Sequence, residues 1–247
     1  MAPHLTEGNL MHLPILFLAA ATSLLPKAHA SPDPAALCAD LRSPDVTIRQ
    51  AAREQAVALG APMVAPLFGL LSAGDPALTA VAENTLFRLA GVATAPGAGR
   101  RREQVAAALQ AELVDGPADA RAYAARLLSL AADDRESVRE LSLALAEPET
   151  REAARTALQQ LPGDDASKAL ITALTTAAAD QRPALIHALG ARRAREATDP
   201  LIRWASEGDP LTRAAALDAL WQIGGDRAVG ALAETGHADT PPPTKRR

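Results

Sequence analysis

Asp209-Pro210-Leu211-Thr212-Arg213-Ala214-Ala215-Ala216-Leu217-Asp218-Ala219-Leu220-Trp221-Gln222-Ile223-Gly224-Gly225-Asp226-Arg227-Ala228-Val229 decides the fold of this chain. Pro210 stands where a helix begins, because the first turn has no use for the N–H that proline lacks, and Asp209 before it can cap the exposed donors. Counted from Arg213, the third, seventh and tenth residues are Ala216, Leu220 and Ile223. Those offsets share one face of a helix, so the segment carries an apolar stripe.

The pattern recurs upstream. Arg49, Arg121, Arg151 and Arg182 take the place of Arg213, and Thr79 takes it in the second unit. Successive anchors lie 30, 42, 30, 31 and 31 residues apart. The long interval holds Gly91 to Gly99, a Gly/Pro-rich stretch read as a loop inserted at about 91–101. Seven residues after each anchor stand Ala56, Leu86, Leu128, Leu158, Leu189 and Leu220, and ten residues after it Leu59, Leu89, Ala131, Leu161, Arg192 and Ile223. A shorter apolar segment precedes each of these helices, for instance Val64 to Leu71 or Pro200 to Ala205. Every unit is therefore expected to be a helical hairpin that buries its stripe only against its neighbours.

With its Asp-Pro turn, anchor Arg and apolar stripe, the segment 209–229 resembles the HEAT repeat family, most closely the shorter bacterial subclass of PBS-lyase HEAT-like repeats. The resemblance extends over about residues 34–234, six hairpins and part of a seventh. It implies an all-α, right-handed α-α superhelix (solenoid) of about six HEAT-like helical hairpins. It also implies a ladder between neighbouring units in which Asp45, Asp75 and Asp209 pair with Arg49, Arg121, Arg151, Arg182 and Arg213. A tetratricopeptide array fits less well, since its period is about 34 residues and its Trp, Gly and Tyr pattern is missing.

Composition agrees with helices and bounds the chemistry. Hydrophobic residues make 48% of the chain and aromatic ones only 2%, so disorder is excluded and helices packed through small side chains are favoured over sheet. The net charge of -4, with both signs mixed, speaks against nucleic acid as a partner. Cys38 is the single cysteine, which excludes an intramolecular disulfide or a thiolate cluster; its apolar setting predicts a buried side chain. Leu13 to Leu25 is apolar, too short to span a bilayer comfortably, and is followed by Ala28-His29-Ala30. That predicts a cleavable export signal over 1–30, a periplasmic or extracellular protein with no membrane insertion after cleavage, and a repeat domain over 31–237. The expected positive charge before the apolar run is missing, and Met11 is an alternative start. Residues 238–247, with Pro241-Pro242-Pro243, read as a disordered tail.

Searching for reaction chemistry leaves little. Beyond residue 30 the histidines are His187 and His237, and neither has a His or Cys at helical spacing that could complete a zinc site. No nucleophile elbow, Walker loop or dinucleotide fingerprint is present. The pairs Asp133-Asp134 and Asp164-Asp165 fall at helix starts, where carboxylates favour the positive end of the dipole. Arg100-Arg101-Arg102 reads as a solvated helix start. No catalytic residue, cofactor or metal ligand is assigned.

Offsets near 1, 5 and 8 lie opposite the apolar stripe, on the face expected to line the concave surface. The candidate partner-binding residues there are Asn84, Arg88, Arg126, Gln159, His187, Asp218 and Trp221. Aromatic and Arg side chains dominate many interfaces, although Trp221 could instead cover the last core layer. The expectation is an exported, non-enzymatic scaffold for a protein or peptide. The alternatives are a lyase-like or ligand-handling relative and a structural envelope module.

Overall fold

The computed structural model describes residues 32–238, so the expected export signal and most of the expected tail lie outside the described residues. Thirteen α-helices follow one another there, with no β-strand among the described residues. They pair as hairpins: α1 (Pro34–Leu41) with α2 (Val46–Leu59), α3 (Val64–Leu71) with α4 (Pro76–Ala93), and α5 (Gly99–Asp115) with α6 (Ala118–Ala131). Next come α7 (Arg135–Ala144) with α8 (Arg151–Gln160), α9 (Asp164–Thr176) with α10 (Arg182–Ala191), and α11 (Thr198–Glu207) with α12 (Pro210–Ile223). A last helix, α13 (Asp226–Ala238), packs on α11 and α12 as the first arm of a seventh hairpin.

Each second helix touches the next along α2, α4, α6, α8, α10 and α12, while first helices stack behind them. This is the all-α solenoid that the periodicity implies. Between the layers lie the residues seven after each anchor: Ala56, Leu86, Leu128, Leu158, Leu189 and Leu220 are no more than 1% exposed. A leucine buried this fully contributes about 2 kcal/mol by removal from water.

Helix starts follow local chemistry. Asp45, Asp75, Asp134 and Asp209 each cap a helix, accepting for example from the N–H of Thr47 at 2.7 Å and of Ser137 at 2.8 Å. The Thr212 hydroxyl also donates to Asp209, at 2.6 Å, and this bond foremost holds the Asp209 carboxyl below its ordinary range.

The expected ladder between Asp and Arg is not formed. The acids are occupied as caps, and each anchor turns back onto carbonyls at the end of the first helix in its own hairpin or in the turn that follows it. Arg49 donates to Ser43 O and Pro44 O at 2.7 Å each, Arg121 to Leu113 O at 3.0 Å, and Arg151 to Leu145 O at 3.1 Å. Arg182 donates to Ala177 O at 3.1 Å and Arg213 to Gly208 O at 3.4 Å. Thr79 reaches Leu71 O at 3.4 Å with its hydroxyl, so the unit without arginine keeps the same closure. Carbonyls at a helix end lack intrahelical partners, which is why a donor from the facing helix is useful there. One anchor also finds an acid in the next unit: Arg121 pairs with Glu147.

Three further expectations are corrected. The insertion expected at about 91–101 is mostly helix, because α4 continues to Ala93 and α5 begins at Gly99, leaving 94–98 between them. Arg101 and Arg102 are latches rather than a solvated start. Arg101 donates to Val57 O and Ala58 O at the end of α2, and Arg102 to Ala131 O at 3.0 Å and Ala132 O at 3.3 Å at the end of α6. Arg192, expected in the apolar stripe, works likewise on α8. It donates to Leu158 O (2.6 Å), Gln159 O (3.0 Å), Leu161 O (2.5 Å) and Gly163 O (2.6 Å), and also to Ser167 Oγ (3.0 Å).

Candidate functional site

Stacking the second helices places offset 5 of each on one exposed ridge. Glu54, Asn84, Arg126, His187 and Asp218 are exposed along it and Thr156 is half-buried, on α2, α4, α6, α10, α12 and α8 respectively. Arg88 is exposed one turn further along α4. The side chains of Arg88, Arg126, His187 and Asp218 make no hydrogen bond or ion pair among the described residues. Gln159 is half-buried and engaged, its carbonyl accepting from Arg155 at 3.0 Å. Arg155 in turn forks onto Glu152, and that hydrogen bond is the main reason the Glu152 carboxyl lies below its ordinary range.

Trp221 is 78% exposed, so it does not cover the last core layer. It shares its offset from the anchor, eight residues, with Phe87, which is 56% exposed and which inspection of the sequence did not select. The same count that picked Trp221 would have found it. The other offset-8 residues are Val57, Ser129, Gln159 and Gly190, all buried or half-buried, so only the two large rings project. Asn84 and Arg88 flank Phe87 on the same helix, and Arg126 is exposed at offset 5 of the next second helix. The middle of the ridge thus combines an aromatic face, an amide and two unpaired guanidinium groups.

Behind the ridge, Tyr123 ties neighbouring units together. Its hydroxyl donates to Glu83 O at 3.0 Å, and its ring meets Phe68 edge to face at 6.1 Å. Burial first, and the Glu83 charge second, push the phenol up to about 12.

A groove of about 800 Å³ opens between the fourth and fifth hairpins. Arg151, Glu152 and Arg155 line it from α8, Ala169, Thr172 and Ala173 from α9, and Ala184 and Leu185 from α10. Cys38 is buried, and desolvation raises its pKa, which keeps the thiol protonated. Among the described residues no group of three or more His, Cys, Asp or Glu could hold a metal ion, and no helix is long and apolar enough to cross a membrane.

Residues 170–247, from within α9 onward, match the family of HEAT repeats, and that match with the stacked hairpins supports the HEAT repeat family for this chain. No curated protein matches it.

Proposed function

We propose that this chain is an exported, non-enzymatic scaffold of the short bacterial PBS-lyase-like kind, which binds a protein or peptide along the exposed ridge of its second helices. The observation that carries the binding proposal is the middle of that ridge: Phe87 is 56% exposed, Arg88 follows it unpaired on α4, and Arg126 stands unpaired on the next second helix, α6. Aromatic and Arg side chains are the residues that most often dominate binding energy, and a solenoid offers them on a long continuous surface. Free guanidinium groups suit a partner segment carrying carboxylates. Export rests on the apolar run and small-residue site before residue 31; the subclass rests on the 30- and 31-residue period.

A pull-down from the native host tests this, comparing wild type with a chain changed to Ala at Phe87, Arg88 and Arg126. A partner that is retained by wild type, lost by the variant, and bound by the purified wild-type chain supports the ridge. Recovery that ignores the three changes removes it. The fate of residues 1–30 is read from the N-terminus of the protein recovered outside the cytoplasm; an intact leader on cytoplasmic protein would end the export proposal.

The groove between the fourth and fifth hairpins favours ligand handling as a second reading, since its volume of about 800 Å³ falls in the range of small-molecule sites. Filling it with Ala173→Trp would abolish binding of such a ligand and leave the ridge partner unaffected.

A further inference from the structure

The junction between the fourth and fifth hairpins is tied at one end and open at the other. At the tied end Arg192, just past α10, donates to Leu158 O, Gln159 O and Leu161 O around the end of α8, and Arg135 of α7 pairs with Asp165 of α9 at 3.0 Å. The groove of about 800 Å³ lies at the opposite end, between the close of α7 and start of α8 on one side and the close of α9 and start of α10 on the other. Its walls are mostly small and apolar, with Ala146, Ala169, Ala173, Ala184 and Leu185 among them. The hydroxyls of Thr172 and Thr176 donate to carbonyls of their own helix, Lys168 O at 2.9 Å and Ala173 O at 3.3 Å. The charges divide in two. Glu152 and Arg155 hold each other, and Nη1 of Arg155 donates to Gln159 at 3.0 Å. Left over are Nη1 of Arg151, whose Nε and Nη2 are given to Leu145 O and Ala146 O, and the exposed carboxylate of Asp180; neither has a hydrogen bond or ion pair among the described residues. In the junction before this one, Arg121 meets Glu147 of the next turn. Here the corresponding arginine and an acid of the next turn line one groove without meeting.

We propose that this groove binds a short aliphatic peptide with both ends free, its carboxylate on Arg151, its ammonium on Asp180 and its side chains on the alanine-lined walls. Such a site presupposes that the groove handles a ligand, as in the second reading above, and names that ligand's class. A guanidinium takes a carboxylate, and an unpaired carboxylate takes an ammonium, through charge-assisted hydrogen bonds. One unspent group of each sign favours a ligand that carries both charges over a fatty acid or an amine, either of which would set a like charge beside one of the two. The volume is that of a drug-sized ligand, larger than a single amino acid needs. Walls of Ala and Leu, with no aromatic ring among the lining residues, suit aliphatic side chains, whose burial supplies affinity. The groove is separate from the ridge centred on Phe87 and does not depend on any partner there.

Titration calorimetry of the full chain tests the site with four probes: trileucine, its N-acetyl form, its C-terminal amide, and the doubly blocked peptide. The variants are Asp180→Asn and Ala173→Trp. Asp180 is exposed and unpaired, so Asp180→Asn should keep the wild-type circular dichroism. Trileucine should bind wild type, and blocking either end should weaken it about tenfold or more, the scale of one charge-assisted hydrogen bond. Asp180→Asn should bind trileucine as weakly as wild type binds the acetylated form, with no further loss on acetylation, while amidation should still cost about tenfold. Ala173→Trp should bind none of the four. Trileucine that fails to bind wild type up to about 10 mM overturns the proposal, and so does an Asp180→Asn chain that responds to acetylation as wild type does, a result that does not depend on how Ala173→Trp folds. A doubly blocked peptide that binds as tightly as the free one, and is lost in Ala173→Trp, would overturn recognition of the ends while leaving the groove as a ligand site.

Discussion

Adding one methyl group at Gly190 should destabilise the array, although the same change at Gly69 should stabilise it. In a helix interior, Gly→Ala gains about 0.8–1.0 kcal/mol from backbone entropy and propensity. Gly69, inside α3, has no atom within 4 Å of where a Cβ would sit, so it should show that gain. At Gly190 the added atom would stand 2.9 Å from Ala219 Cα and 3.0 Å from Ala219 Cβ, with Gln222 Oε1 at 3.3 Å. The nearest of these is backbone, which cannot rotate away, so α10 and α12 must separate. Overpacking of this kind costs about 1–3 kcal/mol, and Gly190 lies one residue from the end of α10, where the propensity gain is smaller. A net loss of about 1–2 kcal/mol is expected, and a gap of about 2–3 kcal/mol between the two variants. Urea denaturation followed by circular dichroism measures both; because stability in an array is carried by neighbours, the midpoint of the C-terminal transition is the informative one. A Gly190→Ala chain as stable as Gly69→Ala would refute the close approach of these helices.

Replacing Arg192 with Met keeps the aliphatic stem but removes four carbonyl contacts and one hydroxyl contact; a loss of about 2–4 kcal/mol is expected in the same assay, with less than half recovered by Lys, whose single ammonium cannot span those acceptors. A loss below about 1 kcal/mol would mean that water replaces the latch. Tyr123 is the only tyrosine, so phenolate absorbance reports on it alone, and its midpoint should lie near 12. Since the folded pKa is raised, the stability held by the neutral phenol is complete below about pH 10 and declines as pH rises from there through the folded value. A midpoint near the ordinary tyrosine value would refute its burial between α3 and α4.

Much of the fold was legible because a repeat states its rule several times. The Asp caps, the proline starts and the stripe at offsets three, seven and ten follow from local chemistry and helical periodicity, and the helices lie where those signals put them. The apolar stretch around Cys38 similarly predicted that it is buried. The misplaced insertion has a local cause: Gly91 and Gly99 were read as breakers, yet packing holds α4 through Ala93 and starts α5 at Gly99.

What the tertiary structure decided is where long side chains go. Periodicity tells which face of a helix is buried, but an arginine reaches several ångströms beyond its own helix and takes whatever acceptors the stacking brings near. Arg101, Arg102 and Arg192 became clamps on distant helix ends, and the anchor arginines closed their own hairpins instead of pairing with aspartates already spent as caps. The exposure of Phe87 and Trp221 was decided in the same way. Their offset is common to every unit, but only these two units carry a large ring there, and both rings stand in solvent where the smaller residues at that offset are buried or half-buried.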